Sequence, residues 1–184
     1  MEVMLDSMPK AKGKGVNTVV YVDSDHARDQ TTRRSVSGII LYINNTPVKW
    51  ISKRQRTVEA SSYGSELVAA RVAVETVLEY RTKLRMLGVN VDSPTTVLGD
   101  NMSVVLNATR PSSQLKKKWL ACSYHRVREA IAGKIIVLHH IVSGDNLADL
   151  MTKPLTPNKH QALVRKMLFR KPSNMEVEEN TKKN

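Results

Sequence analysis

Cysteine, phenylalanine and long apolar runs are scarce in this 184-residue chain, and each scarcity excludes a class of protein. A single cysteine, Cys122, rules out an intrachain disulfide framework and a zinc site built from cysteines. The longest apolar runs, such as Ile135 to Leu138, fall far short of the ~20 residues that span a bilayer. Residues 1–14 lack the apolar core of a signal peptide. The single Phe argues against an aromatic platform for stacking bases. These absences fit an intracellular, reducing compartment.

Positive charge, in contrast, is abundant. Lys and Arg number 29 against 17 Asp and Glu, which gives a formal net charge of +12. Such an excess is typical of proteins that bind polyanions, because neutralised phosphates release condensed counterions. The alternative is that these charges only keep the surface solvated. Several of them cluster along the chain, which favours phosphate binding.

Apolar patterning divides the chain into a folded part and two polar ends. Residues 1–16 are predicted to form a flexible basic lead-in, residues 17–156 a folded domain, and residues 157–184 a basic helix and disordered tail. The order predicted within the domain is strands at 18–22, 38–43 and 48–52, a helix at 62–87, a strand at 95–99, helices at 102–108 and 119–132, a strand at 134–142, and a helix from 145 or 146 to 154. An antiparallel hairpin followed by alternating strands and helices predicts an α/β fold, with helices packed on a mixed sheet.

Four acidic residues fall where such a sheet exposes chemistry. Asp23 ends the first strand and Asp100 ends the fourth, so both carboxylates meet at one sheet edge if those strands are parallel neighbours. Glu66 lies in the first turns of the long helix and Asp149 on the final helix, from where both could reach the same edge. Each has an ordinary alternative, because a strand-end Asp often caps a helix and a helical acid is usually a solvated charge.

Carboxylates crowded at one edge would suit a divalent cation. They repel one another and raise their own pKa values, so such a cluster persists where a cation compensates it. Mg²⁺ takes oxygen ligands and keeps several waters. Two such ions ~4 Å apart can activate a water and stabilise the leaving oxygen of a phosphodiester.

Seven short motifs, in one order and spacing, carry a resemblance to a known family. They are Tyr21-Val22-Asp23-Ser24-Asp25-His26-Ala27, Thr32-Arg33-Arg34-Ser35-Val36-Ser37-Gly38, Trp50-Ile51-Ser52-Lys53-Arg54-Gln55, Ser61-Ser62 with Ser65-Glu66, Gly99-Asp100-Asn101-Met102-Ser103-Val104, Tyr124-His125-Arg126-Val127-Arg128-Glu129, and Asn146-Leu147-Ala148-Asp149-Leu150-Met151-Thr152-Lys153-Pro154-Leu155. Each motif alone is weak, but seven together are specific. Over about Val20 to Leu155, the chain resembles the ribonuclease H region at the C-terminal end of copia-type retrotransposon polyproteins.

The resemblance implies a ribonuclease H-like fold, with a five-stranded mixed sheet flanked by helices. It also implies endonucleolytic hydrolysis of the RNA strand of RNA–DNA hybrids during reverse transcription. The family's catalytic and metal-binding carboxylates fall on Asp23, Glu66, Asp100 and Asp149, with two Mg²⁺ ions as cofactors and Mn²⁺ as a substitute. Asp25 also matches a family position, where a supporting role is equally open to it.

Some residues near these motifs have other interpretations. His26 stands where the family more often has Trp, so packing or surface exposure is the favoured role. His139 and His140 are adjacent in a predicted strand and point to opposite faces, so at most one of them can face the site. Asp145 is a less favoured substitute for Asp149.

The polar and basic residues nearest these motifs are the candidate contacts to nucleic acid. They are Arg33, Arg34, Lys53, Arg54, Arg56, Asn101, Ser103, Lys116, Lys117 and Lys118. An RNA–DNA hybrid is recognised by shape, by phosphates and by the 2′-OH of the RNA strand. The resemblance further implies a reverse transcriptase domain of the same polyprotein as partner, and a cytoplasmic virus-like particle as location.

Two other functions compete with the nuclease. A catalytically inactive, retrotransposon-derived remnant would keep the fold and the basic surface only. Degraded copies tend to lose an acidic ligand, whereas all four matching positions are intact here. A transposase or integrase of related fold would need a different carboxylate pattern. The chain lacks the polymerase, integrase and protease regions of a whole polyprotein, so we expect a fragment or a truncated copy.

Overall fold

The computed structural model describes residue 13 and residues 15–168. The strands in this part of the chain are β1 (Thr18–Asp25), β2 (Val36–Ile43), β3 (Thr46–Arg54), β4 (Thr95–Gly99) and β5 (Ile136–His140). The α-helices are α1 (Ser62–Met86), α2 (Met102–Thr109), α3 (Ala121–Ala132), α4 (Asp149–Thr152) and α5 (Pro157–Met167), with 3₁₀ turns at Lys118–Leu120 and Ser143–Asp145. No helix in the described part is long and apolar enough to cross a membrane.

The strands form one sheet in the order β3-β2-β1-β4-β5. The pairs β3–β2 and β2–β1 are antiparallel, and the pairs β1–β4 and β4–β5 are parallel. Asn44 has a left-handed backbone (φ 54°) in the β2–β3 turn, a conformation that Asn tolerates better than most residues. The predicted fold class, a five-stranded mixed sheet flanked by helices, is confirmed.

Both faces of the central strands are buried, because successive residues point to opposite sides of the sheet. Val20, Val22, Ile39 and Leu41 join the larger core against α1. Ile40 and Tyr42 point the other way and pack with Leu147, which precedes α4, and with Leu163 of α5. This double burial explains why β1 and β2 read as nearly continuous apolar runs.

Helix α1 has clear signals at both ends. Ser61 has an extended backbone and its hydroxyl accepts from the Gly64 N–H, as expected of an N-cap. At the other end Gly88 has φ 74°, and its N–H donates to the Arg85 carbonyl. The buried Arg81 guanidinium donates to the carbonyl of Val91, which ties the helix to the segment leading into β4.

The helix predicted from residue 145 or 146 to residue 154 is shorter in the structure. Residues Ser143–Asp145 form a 3₁₀ turn, and α4 begins only at Asp149. The reason is the buried Asn146, whose side-chain amide donates to the Val22 carbonyl (2.9 Å) while its Oδ1 accepts from the Ala148 N–H (3.1 Å). The Asn146 side chain therefore holds this segment against β1, and the helix begins three residues later, at Asp149.

The predicted ends of the domain are described only in part. Most of the predicted lead-in, 1–16, and residues 169–184 of the predicted tail lie outside the described residues. The predicted basic helix beyond residue 156 corresponds to α5, whose Leu163 is 1% exposed in the second core. The boundaries 17–156 and 157–184 stay predictions.

Candidate active site

Three of the four predicted carboxylates meet at one edge of the sheet. Ligand oxygens of Asp23, Glu66 and Asp100 all lie within 4.8 Å of one another. Val22 of β1 lies opposite Gly99 of β4 in the parallel pair, so the residues that follow them, Asp23 and Asp100, lie at the same edge. The prediction that Asp23 ends the first strand is wrong, because β1 continues to Asp25 through its antiparallel pairing with β2. The condition stated from the sequence, that the first and fourth strands be parallel neighbours, is met.

Glu66 is brought to this edge by contacts between the start of α1 and the end of β1. The Ser24 N–H donates to Glu66 Oε1 (3.2 Å), and the Ser24 hydroxyl donates to the Ser65 hydroxyl (2.9 Å). Gln55 adds a link, because its amide donates to the Ser65 carbonyl (2.8 Å). Two strand ends therefore hold the helix turn that carries Glu66.

Two of these carboxyl groups, those of Glu66 and Asp23, have pKa values raised by their surroundings. Burial, followed by the charges of Asp23 and Asp100, raises the pKa of Glu66 to about 8. Burial also raises the pKa of Asp23, against the lowering effect of hydrogen bonds from Thr152 and Lys153. A cluster of three carboxylates in which burial raises the pKa values of Glu66 and Asp23 fits a hard divalent cation such as Mg²⁺ or Mn²⁺, which compensates their charge.

Asp149 is placed differently from the other three. It is 1% exposed, and it is not among the described carboxylates whose oxygens lie within 4.8 Å of one another. Its Oδ1 accepts from Lys153 Nζ (2.8 Å) and its Oδ2 from Lys159 Nζ (2.7 Å). Lys153 Nζ also donates to Asp23 Oδ1 (3.0 Å). Asp149 is therefore joined to the cluster through an ammonium group.

Thr152, Lys153 and Lys159 were not predicted as site residues. The Thr152 hydroxyl donates to Asp23 Oδ2, so both oxygens of Asp23 have protein donors. A signal for two of them was present, because the motif ending in Thr152-Lys153 places both within one helical turn of Asp149. No local pattern marks Lys159, which comes from α5.

Gly38 allows α4 to approach the sheet. A Cβ on Gly38 would lie 2.6 Å from Thr152 Cγ2 and 2.8 Å from the Ala148 carbonyl oxygen. Those distances are well below van der Waals contact, so any larger side chain would push α4 away. The glycine of the second motif is therefore required for the Thr152–Asp23 contact.

The neighbouring acidic and histidine residues lie around the cluster. Asp25 pairs with Arg28 (2.9 Å), and the exposed Asp145 pairs with Lys166. Neither belongs to the cluster of three. The His140 ring contacts the Asp100 carbonyl oxygen through Nε2 (3.1 Å). The Ser143 hydroxyl donates to Asp100 Oδ2 (2.7 Å) and was not predicted.

One group of predicted nucleic-acid contacts surrounds a cleft beside the end of β3. Lys53, Arg54 and Arg56 are exposed and line this cleft of about 350 Å³ together with Arg71 of α1, which was not predicted. Arg54 is also engaged by Asp29 (2.6 Å), in the loop that carries the predicted Arg33 and Arg34. The pKa of Asp29 falls to about 2, first because the Thr32 N–H donates to it and then because Arg54 does.

The second group lies around the starts of α2 and α3. Asn101 Oδ1 accepts from the Val104 N–H (3.2 Å), so Asn101 caps α2, and Ser103 is exposed in the first turn. Lys116 and Lys118 are exposed, whereas Lys117 donates to the N-cap hydroxyl of α1, on Ser61 (2.8 Å). The predicted contacts thus lie beside the end of β3 and around the starts of α2 and α3.

Comparison with known proteins identifies relatives of the whole domain. No family model matches the chain. It is 28% identical over 156 residues to the retrovirus-related Pol polyprotein from transposon RE2 of Arabidopsis thaliana, covering 85% of this chain and 11% of that protein. It is 26% identical over 141 residues to the corresponding polyprotein from transposon TNT 1-94 of Nicotiana tabacum, covering 77% and 10%. The chain spans about a tenth of the length of these curated relatives.

Solved structures agree on the fold. The N-terminal RNase H domain of Rv2228c from Mycobacterium tuberculosis superposes with a TM-score of 0.56 at 15% identity, covering 82% of this chain and 98% of that one. LC11-RNase H1, solved in complex with an RNA/DNA hybrid, gives a TM-score of 0.57 at 17% identity, covering 74% and 94%. The resemblance predicted from the motifs is confirmed by both comparisons: the sequence relatives are Pol polyproteins of transposons, and the structural neighbours are RNase H domains.

Proposed function

We propose that this domain is a metal-dependent ribonuclease H that cuts the RNA strand of RNA–DNA hybrids endonucleolytically during reverse transcription of its element. The observation that carries the proposal is the meeting of Asp23, Glu66 and Asp100 within 4.8 Å where the parallel pairing of β1 and β4 ends. The RNA/DNA hybrid bound to LC11-RNase H1 supports the choice of substrate.

Asp23, Glu66 and Asp100 would hold the divalent cation, with Asp149 as the fourth predicted ligand. Mg²⁺, or Mn²⁺ in its place, would supply activation of a water and charge compensation for the leaving oxygen, and a second ion would share that role in a two-metal mechanism. The surrounding residues orient the ligands. Ser24 holds Glu66 through its N–H, and Thr152 holds Asp23 through its hydroxyl.

The protonation of Glu66 makes metal binding at this site depend on pH. With its pKa raised to about 8, its carboxyl group is largely protonated at neutral pH when no cation is bound. A carboxyl must lose its proton to ligate a hard cation, so metal binding releases a proton from Glu66. The affinity for metal therefore increases with pH up to about 8.

The basic residues would position the hybrid over the carboxylates. Lys53, Arg56 and Arg71 lie beside the cleft near the end of β3, and Lys116 and Lys118 lie before α3. Contacts of this kind bind phosphates without reading sequence. The Pol polyprotein relatives support a reverse transcriptase domain as the partner in the same polyprotein. The cytoplasmic virus-like particle, as the location, is implied by the family resemblance alone.

The alternative is a catalytically inactive remnant that binds nucleic acid. One observation favours it: both oxygens of Asp149 are paired with lysines, which leaves this predicted ligand satisfied by the protein itself. The intact cluster of Asp23, Glu66 and Asp100 favours the enzyme.

The test is cleavage of an RNA–DNA hybrid by the full chain, with either strand labelled. Wild type is expected to cut only the RNA strand, with Mg²⁺ and not with EDTA. Asp100→Asn removes one anionic ligand and should bind hybrid but not cut it. Asp92→Asn is the matched control, because Asp92 is exposed before β4, at the strand end away from Asp100. Hybrid binding without cleavage by any of the three proteins would establish the remnant instead.

A further inference from the structure

The Lys153 ammonium occupies the space between two buried carboxylates. Its Nζ lies 3.0 Å from Asp23 Oδ1 and 2.8 Å from Asp149 Oδ1. The side chains of Asp23 and Asp149 are 0% and 1% exposed, whereas that of Lys153 is 33% exposed. Lys153 therefore bridges both acids from the solvent side.

The remaining oxygens of this pair are also engaged. Thr152 donates to Asp23 Oδ2, and Lys159 Nζ lies 2.7 Å from Asp149 Oδ2. Lys159 contacts Asp149 alone, so among the described residues Lys153 is the cation that contacts both acids. Buried carboxylates need such compensation, because an unpaired charge in the interior is strongly destabilising.

A divalent cation that used both Asp23 and Asp149 would compete with this ammonium for the same two Oδ1 atoms. The cluster of Asp23, Glu66 and Asp100 differs, because among the described residues Lys153 contacts only one of its three acids, Asp23. Neutral hydroxyl or amide donors serve the other two: Ser24 donates to Glu66, and Ser143 donates to Asp100. The partial exposure of Lys153 gives it a way out, since its long side chain can turn into solvent when displaced.

We propose that Lys153 is a built-in counter-cation that competes with a divalent ion for the Asp23–Asp149 pair, so that the two cation positions of the centre differ in affinity. This inference rests on the proposed metal-dependent function. The first ion binds at the cluster of three carboxylates. The second ion binds only by displacing Lys153.

The test is direct titration of the full chain with Mn²⁺ at fixed pH, in which electron paramagnetic resonance counts the free ion and no activity is needed. Wild type should bind one ion well and a second weakly. Lys153→Met should lower the Kd of the second Mn²⁺ about tenfold or more. This is the effect expected when one nearby positive charge is removed from a partly screened cation site. Lys166→Met is the matched control: it removes the same charge from an exposed pair with Asp145, and should behave as wild type.

A thermal melt supplies a second readout. Lys153→Met leaves two buried acids without their shared cation, so its Tm without metal should fall and its gain in Tm with Mn²⁺ should exceed that of wild type. If that variant does not fold without metal, Lys153→Gln, which keeps a hydrogen-bond donor and removes the charge, replaces it in both assays.

The outcomes separate the two proposals. An unchanged affinity for the second Mn²⁺ in the Lys153 variant tested, or an equal change in Lys166→Met, would overturn the role of Lys153 while leaving the first site in place. If wild type and all variants bind no Mn²⁺, the metal-dependent function falls as well.

Discussion

Gly38 of β2 lies directly against Thr152 of α4, with no room for a methyl group between them. The Cβ of an alanine at this position would be 2.6 Å from Thr152 Cγ2. This contact sets how closely α4 packs on the sheet. The contact thereby sets the position of the Thr152 hydroxyl, which donates to Asp23. It also sets the positions of Asp149 and Lys153 in the same helical turn.

We therefore expect Gly38→Ala to destabilise the domain and disturb the site. Overpacking of this kind costs about 1–3 kcal/mol in the free energy of unfolding, which urea denaturation measures. The affinity for Mn²⁺ should fall in the same variant. Gly144→Ala is the control, because a Cβ at Gly144 meets nothing within 4 Å. Equal stability of both variants would contradict the packing argument.

Stability without metal should decrease as pH rises. Folding raises the pKa of Glu66 from an ordinary value of 4.5 to about 8, and raises that of Asp23. A group that binds its proton more tightly in the folded state stabilises that state fully below its unfolded pKa and loses the effect as pH rises through its folded pKa. For Glu66 the window runs from pH 4.5 to about 8, with a slope of at most ~1.4 kcal/mol per pH unit.

The measurement is a series of thermal melts in EDTA across that window. Glu66→Gln removes the titrating group and should flatten the fall in Tm relative to wild type. Added Mg²⁺ should restore wild-type stability at pH 8 but have little effect on the variant. Parallel curves for the two proteins in EDTA would show that the environment of Glu66 is not the cause.

Removing the Thr152 hydroxyl should weaken the site through Asp23. Thr152→Val keeps the shape and leaves Asp23 Oδ2 without its donor, which costs about 1–3 kcal/mol of stability for a buried group. The hydrogen bond from Thr152 lowers the pKa of Asp23, so its loss raises that pKa further. The acid limb of Mn²⁺ binding should therefore move to higher pH. Thr109→Val, which also removes a hydroxyl but at the exposed end of α2, should leave the pH profile unchanged.

The cleft at the end of β3 should contribute to hybrid binding through phosphates. Replacing Lys53 and Arg56 together by Ala should raise KM with little change in kcat, and lower the slope of log Kd against log salt by about 2. Arg85→Ala, at the far end of α1, is the control for loss of positive charge. If the double variant keeps the wild-type slope of log Kd against log salt, Lys53 and Arg56 do not contact the phosphates of the hybrid.

Most helices and strands were predicted from the sequence because caps, turn residues and apolar periodicity each involve only a few neighbouring residues. The limits of α1 follow from Ser61 and Gly88, and β4 was predicted with its exact ends, 95–99. The start of α4 was predicted wrongly because the Asn146 side chain binds the Val22 carbonyl of β1, which is 124 residues away in the chain. No periodicity within residues 143–154 contains that contact.

The sequence by itself determined which carboxylates were candidates, and it predicted that Asp23 and Asp100 would share one edge if the first and fourth strands were parallel neighbours; the sheet order decided that they are. Only the tertiary structure decided how each is compensated. Glu66 joined Asp23 and Asp100, whereas Asp149 was separated from them by Lys153 and bound a second lysine from α5. The physical reason is that hydrophobic periodicity encodes burial, which is a property of each segment. The charge partner of a buried acid depends on which remote segments pack around it, and here that packing depends on a glycine, Gly38, on a different strand.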